Sequence, residues 1–284
     1  MKRLIFILIV FVSVTCKGQV PGIGGMMKIF ETIASTAEWV AVGEGTNSIA
    51  YSSNGINWTG IGTDIFSIQG IGAVWNGSIW TGFGYGTNSI AYSYDGINWT
   101  GLGTDIFSNF GYDAAWNGTM WVAVGYGSTN NFAYSYDGVE WTGMGKKIFS
   151  TLGYDIAWNG TMWVAVGYGS SNTIGYSSDG INWIGRGKTI FSIRGDGVAW
   201  NGSMWVALGY GSTHTLAYSS NGINWTGIGK TIFSTRGFDA AWNGSMWVAV
   251  GSGTNTIAYS SDGINWTGIG ETIFSTYGVG VESK

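Results

Sequence analysis

The chain repeats itself, and that repetition constrains its fold more than any other feature. Similar units begin at Trp75, Trp116, Trp158, Trp200 and Trp242, at steps of 41, 42, 42 and 42 residues. A sixth unit, residues 38–74, lacks the opening Trp-Asn-Gly but carries the rest. All 17 tryptophans fall into three columns: the one that opens each unit, one at Trp39, Trp80, Trp121, Trp163, Trp205 and Trp247, and one from Trp58 to Trp266. No tryptophan remains outside the repeat. A period of this length marks supersecondary units that bury their apolar faces only against one another.

Inside each unit, Asn-Gly and Asp-Gly pairs punctuate short runs of aromatic and β-branched residues. Asn243-Gly244 separates FDAAW from SMWVAV, and Asp262-Gly263 separates TIAYS from INWTG. Such pairs suit two-residue type I′ hairpin turns, which need positive φ at both central positions. Each unit then reads as a four-stranded antiparallel meander, and runs such as WVAVG are apolar throughout, as in sheets covered on both faces. Radial repetition of such meanders gives an all-β fold, a six-bladed β-propeller of about 42 residues per blade. Residues 277–283 align with the innermost strand of a further unit, and they are expected to complete the first blade and close the ring.

Composition agrees with a packed domain. Gly makes up 50 of 284 residues, but 16% aromatic and 10% charged residues leave ample apolar surface to offset the entropy of ordering. Residues 1–18 carry Lys2 and Arg3, an apolar run over residues 4–14 and a small-residue exit, the form of a secretory signal. The expected organisation is a signal peptide at 1–18, a linker at 19–28 and the propeller at 29–284. Cleavage would remove three of the 12 basic side chains and none of the 16 acidic ones, taking the net charge from −4 to −7. A secreted, extracellular protein is expected, with no membrane insertion after cleavage and no basic stripe for nucleic acid. Cys16 is the sole cysteine, so the mature chain has no disulfide. Lipid anchoring through Cys16 is the alternative, although Ser13, Val14 and Thr15 match that signal poorly.

The third turn of each unit reads SYDGINW at residues 93–99, SYDGVEW at 135–141 and SSDGINW at 177–183 and 260–266, with Asn54 and Asn221 replacing Asp in the other two. It resembles the Asp-box of sialidase-type (BNR-like) propellers, Ser-x-Asp-x-Gly-x-x-Trp, shortened by one residue. The resemblance implies a structural role for these turns and supports the fold.

A sialidase would further need an arginine triad, a Tyr-Glu nucleophile pair and an Asp acid. The mature chain offers only Arg186, Arg194 and Arg236, from adjacent repeats, and its single proline, Pro21, precludes the Arg-Ile-Pro type of motif. No catalytic constellation is expected. The lone His214 reads as solvent-facing, and the Asp-Gly turns lack the alternating carboxylates of a calcium loop, so neither metal nor cofactor is expected.

Successive turns of a meander lie at opposite ends of a blade, so the constant Asn-Gly and Asp-Gly turns share one face. The opposite face carries the variable links, where Gln69, Phe110, Leu152, Arg194, Arg236 and Tyr277 occupy one position. Asp113, Asp155 and Asp239 follow shortly after, with Asp196 one position earlier, and Tyr85, Tyr126, Tyr168 and Tyr210 recur in the second-strand loop. These arginines, aspartates and tyrosines are the candidate ligand-binding residues, since loops on a rigid scaffold carry function. The arginines are expected to form a positive patch within reach of Asp155, Asp196 and Asp239. The partner is expected to be a glycan, bound in lectin-like fashion, or a secreted or cell-surface protein; a structural or assembly role is the alternative.

Overall fold

The computed structural model describes residues 36–281. The signal peptide, Cys16, the linker and the ends of the expected propeller domain lie outside the described residues.

The described chain is all-β. Its first unit has three strands, β1 (Trp39–Val42), β2 (Ile49–Ser52) and β3 (Thr59–Gly60). Five four-stranded units follow. The second comprises β4 (Gln69–Trp75), β5 (Trp80–Tyr85), β6 (Ile90–Ser93) and β7 (Thr100–Gly101). The third has β8 (Phe110–Trp116), β9 (Trp121–Tyr126), β10 (Phe132–Ser135) and β11 (Thr142–Gly143). The fourth has β12 (Leu152–Trp158), β13 (Trp163–Tyr168), β14 (Ile174–Ser177) and β15 (Ile184–Gly185). The fifth has β16 (Arg194–Trp200), β17 (Trp205–Tyr210), β18 (Leu216–Ser219) and β19 (Thr226–Gly229). The last has β20 (Arg236–Trp242), β21 (Trp247–Ser252), β22 (Ile257–Ser260) and β23 (Thr267–Gly268). Each unit is an antiparallel meander, the blade expected from the repeat.

Packing between blades follows one rule. At the junction of the third and fourth blades, Met120, Val122, Val124, Phe132 and the link residue Phe149 meet Ile156, Trp163 and Ala165. At the next two junctions Phe191 and Phe233 take the place of Phe149, and Trp205 and Trp247 that of Trp163. The second-column tryptophans are therefore the cores of the blade interfaces, and Trp121, Trp163, Trp205 and Trp247 are fully buried. Burying each such side chain fully is worth roughly 1.5–3 kcal/mol on the apolar-area scale, and repetition multiplies the effect around the fold.

The turns differ from the expected type. No non-glycine residue among those described has positive φ, so the Asn-Gly and Asp-Gly pairs are not type I′ turns. Pairing of Trp116 with Trp121 leaves a four-residue loop, 117–120, in which the Asn117 N–H donates to Met120 O at 3.1 Å. Asn117 Oδ1 accepts from the N–H groups of Thr119 and Met120, so the side chain organises the loop and only Gly118, at φ 102°, takes the left-handed conformation. In the longer third turn, Asp137 Oδ1 accepts from the Ser135 hydroxyl and from the N–H groups of Val139 and Glu140. Trp141 Nε1 closes it by donating to Gly138 O at 3.1 Å. Asn221 reproduces this pattern with its own Oδ1, so replacement of Asp leaves the turn intact.

His214 is not solvent-facing. Its Nδ1 accepts the N–H of Gly229 at 2.9 Å, where Asn88, Asn130, Asn172 and Asn255 each use Oδ1 toward the equivalent glycine.

The C-terminal segment lies against the last blade. Tyr277 bridges to Ser252, and the Gly278 N–H donates to Gly251 O at 3.0 Å, as Gly70 does to Gly43 O between the first two units. The expected closure is not made among the described residues: β1 is the terminal strand of its own three-stranded sheet.

Candidate binding face

The innermost strands β4, β8, β12, β16 and β20 share a bulge two residues after their start. Before each bulge stands a glycine with no room for a side chain; a Cβ on Gly111 would collide with the carbonyl of Ser89, and one on Gly237 with that of Thr215. The bulge inserts an unpaired residue and redirects its side chain. Those residues are Ile71, Tyr112, Tyr154, Asp196 and Phe238.

The register places the variable link residues directly opposite the recurring tyrosines: Gln69 with Tyr85, Phe110 with Tyr126, Leu152 with Tyr168 and Arg194 with Tyr210. Both sets lie at the end of the blades away from the Asn-Gly and Asp-Gly turns, as expected. Members of both sets and three of the bulge residues, Tyr112, Tyr154 and Phe238, form a band of rings and guanidinium groups. Tyr85 stacks on Phe110 at 4.2 Å between centroids, Phe110 on Tyr112 at 5.5 Å, and Tyr112 meets Tyr154 at 5.0 Å. Tyr126 flanks Phe110 at 6.3 Å. Arg194 continues the band, with Cζ 5.2 Å from the Tyr154 ring centroid and Nη1 donating to the Tyr154 hydroxyl at 2.8 Å. Arg236 lies over Phe238 at 4.2 Å, and Phe238 meets Tyr277 at 5.9 Å.

Asp196 joins the two arginines. Arg236 donates through Nε and Nη2 to its two oxygens at 2.8 and 2.5 Å, and Arg194 Nε lies 3.2 Å from Oδ1. Burial pushes the Asp196 carboxyl up, and Arg194 opposes it. The expected positive patch thus has the Asp196 carboxyl between its two guanidinium groups, while Asp155 is held by the backbone of Ile156 and Val198. Burial likewise raises the phenols of Tyr112 and Tyr154, so both stay protonated and Tyr154 keeps its hydroxyl proton.

The three candidate aspartates belong to the scaffold. Asp155 Oδ1 accepts from the Ile156 N–H and Oδ2 from the Val198 N–H, both at 2.7 Å, tying β12 to β16. Asp239 does the same for the C-terminal segment, accepting from Ala240 and, at 3.0 Å, from Val281. Asp113 is hydrogen-bonded to the Asp155 carboxyl, and burial followed by that neighbouring carboxyl raises Asp155 well above the ordinary range. Two of the other innermost strands have Gly72 and Gly197 in this column, where the carbonyls of Tyr112 and Phe238 approach too closely for a side chain.

Of the expected site residues, the structure brings Arg194, Arg236, Tyr85 and Tyr126 into the band and leaves Tyr168 and Tyr210 exposed beside it. Sequence reasoning missed Tyr112, Tyr154 and Phe238. Their signal was the column two residues beyond the variable link, which differs in nearly every repeat while its glycine neighbour does not. No group of three or more potential metal ligands occurs among the described residues. No helix among them is long and apolar enough to cross a membrane.

The fold and its repeated four-stranded blades define a β-propeller. No protein-family model matches the chain, and no curated protein matches it. Solved structures do. One, titled crystal structure of the nidogen/laminin complex, aligns with a TM-score of 0.60 at 12% identity, covering 86% of this chain and 96% of that one. YCF48 from Cyanidioschyzon merolae aligns at 0.59 and 14% identity, covering 84% and 82%. At these identities the likeness is one of fold.

Proposed function

We propose that this is a non-catalytic binding propeller that takes a protein partner on the variable face. The observation that carries the reading is the unbroken band from Tyr85 to Arg236, aromatic and guanidinium groups held rigidly by stacking and by Asp196. Tyr and Arg dominate the energetics of protein interfaces because they offer large, stiff contact area with polar tips. A nidogen propeller in a structure titled as a complex with laminin gives a precedent for a partner-binding propeller. The shortened Asp-box turns support kinship with the Asp-box propellers and a scaffolding role for the opposite face.

Carbohydrate binding is the second reading, favoured by Tyr168 and Tyr210, whose rings are exposed at adjacent blades. Secretion belongs to the same reading and rests on residues 1–18; the mass of the protein recovered from medium tests it. To test binding, affinity capture from the native extracellular fraction and a glycan array are run with the wild type, with Tyr168→Ala/Tyr210→Ala and with the opposite-face variant Asn182→Ala. A captured protein lost only with the tyrosine variant supports protein binding, and a glycan signal lost the same way supports the second reading. A glycan signal indifferent to these tyrosines overturns the second reading, and protein capture lost with Asn182→Ala but not with the tyrosine variant overturns the first.

A further inference from the structure

Among the described residues, the first unit and the last blade each present an exposed face, and the two faces correspond to the two halves of one blade junction. In the inner junctions, one blade supplies apolar strand residues and the link phenylalanine, and the next supplies a tryptophan and one or more alanines. Phe66, Phe107, Phe149, Phe191 and Phe233 are 0% exposed in this packing. Phe274, their equivalent after the last blade, is 44% exposed, and Met246 and Tyr259 on the same side are exposed as well. Trp39, equivalent to four tryptophans at 0%, is 40% exposed, and Ala41 beside it is exposed where Ala123, Ala165, Ala207 and Ala249 are buried.

The backbone is equally divided. Asp239 and Gly251 hold residues 277–281 in the place of an innermost strand, while among the described residues β1 to β3 have no innermost strand beside them. The register of β20 on β21, applied here, pairs Tyr277 with Glu44, Gly278 with Gly43, Gly280 with Val42 and Val281 with Ala41.

We propose that the last blade, with residues 277–281, docks onto the first unit of a second copy of this chain, completing a four-stranded blade across the contact. The occupant follows from the sequence repeat: each half is already shaped to its counterpart, because the chain packs the same pair of surfaces against each other between its own blades. An exposed strand edge such as β1 templates this kind of addition. The contact is heterologous, so it propagates from copy to copy.

The test is mass measurement by sedimentation in the analytical ultracentrifuge, on the purified chain over a wide concentration range. The proposal expects mass to rise with concentration. Ala41→Arg, which blocks the first unit, and Phe274→Glu, which blocks the last, each leave a monomer. Mixed together they give a dimer and nothing larger, because one good half remains on each. Tyr259→Arg replaces Phe274→Glu if the latter lowers the folded fraction. A wild-type mass that stays monomeric at every concentration overturns the proposal and points to closure within the chain. Failure of two folded single variants to complement overturns it as well.

Discussion

Asp155 reaches out of its own blade, with Oδ2 2.7 Å from the backbone nitrogen of Val198 on the neighbouring innermost strand. Its other oxygen accepts from Ile156, and Asp113 shares a hydrogen bond with the same carboxyl. The folded-state value is raised, by burial first and by Asp113 second. The pair's contribution to stability is therefore complete below the unfolded value of about 3.9 and is lost as pH rises through the raised folded value. Asp155→Asn keeps an acceptor and removes the ionisation. It should match the wild type more closely in acid and melt progressively higher relative to it as pH rises, which thermal melts across pH will show; parallel curves would mean that the pair does not share a proton.

The Asp-Gly turns shift in the opposite direction. Burial is the largest single influence on Asp95 and raises it, but the N–H groups of Asn98 and Ile97, the Asn98 amide and the Ser93 hydroxyl together outweigh it and bring the carboxyl to about 2. Asp137, Asp179 and Asp262 are lowered similarly. Their stabilisation is present above the unfolded value of about 3.9 and lost as pH falls through the folded one. The first and fifth units, with Asn54 and Asn221, lack this dependence. Replacing the four aspartates by Asn should flatten the acid limb of stability below about pH 4 while leaving the neutral melting temperature little changed, because these exposed groups are screened by solvent.

His214 does half the work of the asparagines it replaces. Asn88, Asn130, Asn172 and Asn255 also donate Nδ2 to an isoleucine carbonyl on the preceding link, at 2.6 to 3.1 Å. His214→Asn restores that donor opposite Ile190 and should stabilise the protein by about 0.5–1.5 kcal/mol, the net worth of one hydrogen bond. A lower melting temperature would show that the imidazole packs in a way the amide cannot replace.

Gly244 sits at φ 98° with open space where a Cβ would go. Strain alone should therefore set the effect of Gly244→Val, a loss of about 1–2 kcal/mol for a β-branched residue in the left-handed region. Asn243→Ala removes the acceptor that organises the same loop and should cost a comparable amount. An unchanged denaturation midpoint in either variant would contradict the loop geometry.

The blade was legible because its signals are local and repeated: strand-length apolar runs, fixed tryptophan columns and side-chain-capped turns recur in register, so each copy corroborates the others. The turn type was misread because Asn-Gly has two uses, and only the pairing of Trp116 with Trp121 reveals a four-residue loop. The candidate face was half legible. Variation at the links marked Arg194 and Arg236, but a bulge breaks the alternation of a strand, so sequence spacing did not show that Tyr112, Tyr154 and Phe238 join the same band. Nor did it show that Asp196 takes both guanidinium groups. Closure was inferred from the match of residues 277–283 to an innermost strand, and that match is silent on which copy of β1 the strand meets.

The central claim, that a partner binds the variable face, is tested most directly by hydrogen–deuterium exchange of the chain with and without the captured partner. Slowed exchange at residues 110–112, 152–154, 194–196 and 236–238, and at the loops beside Tyr168 and Tyr210, is the predicted result. Protection confined to the Asp-Gly turns at residues 93–99, 135–141, 177–183 and 260–266 would contradict it.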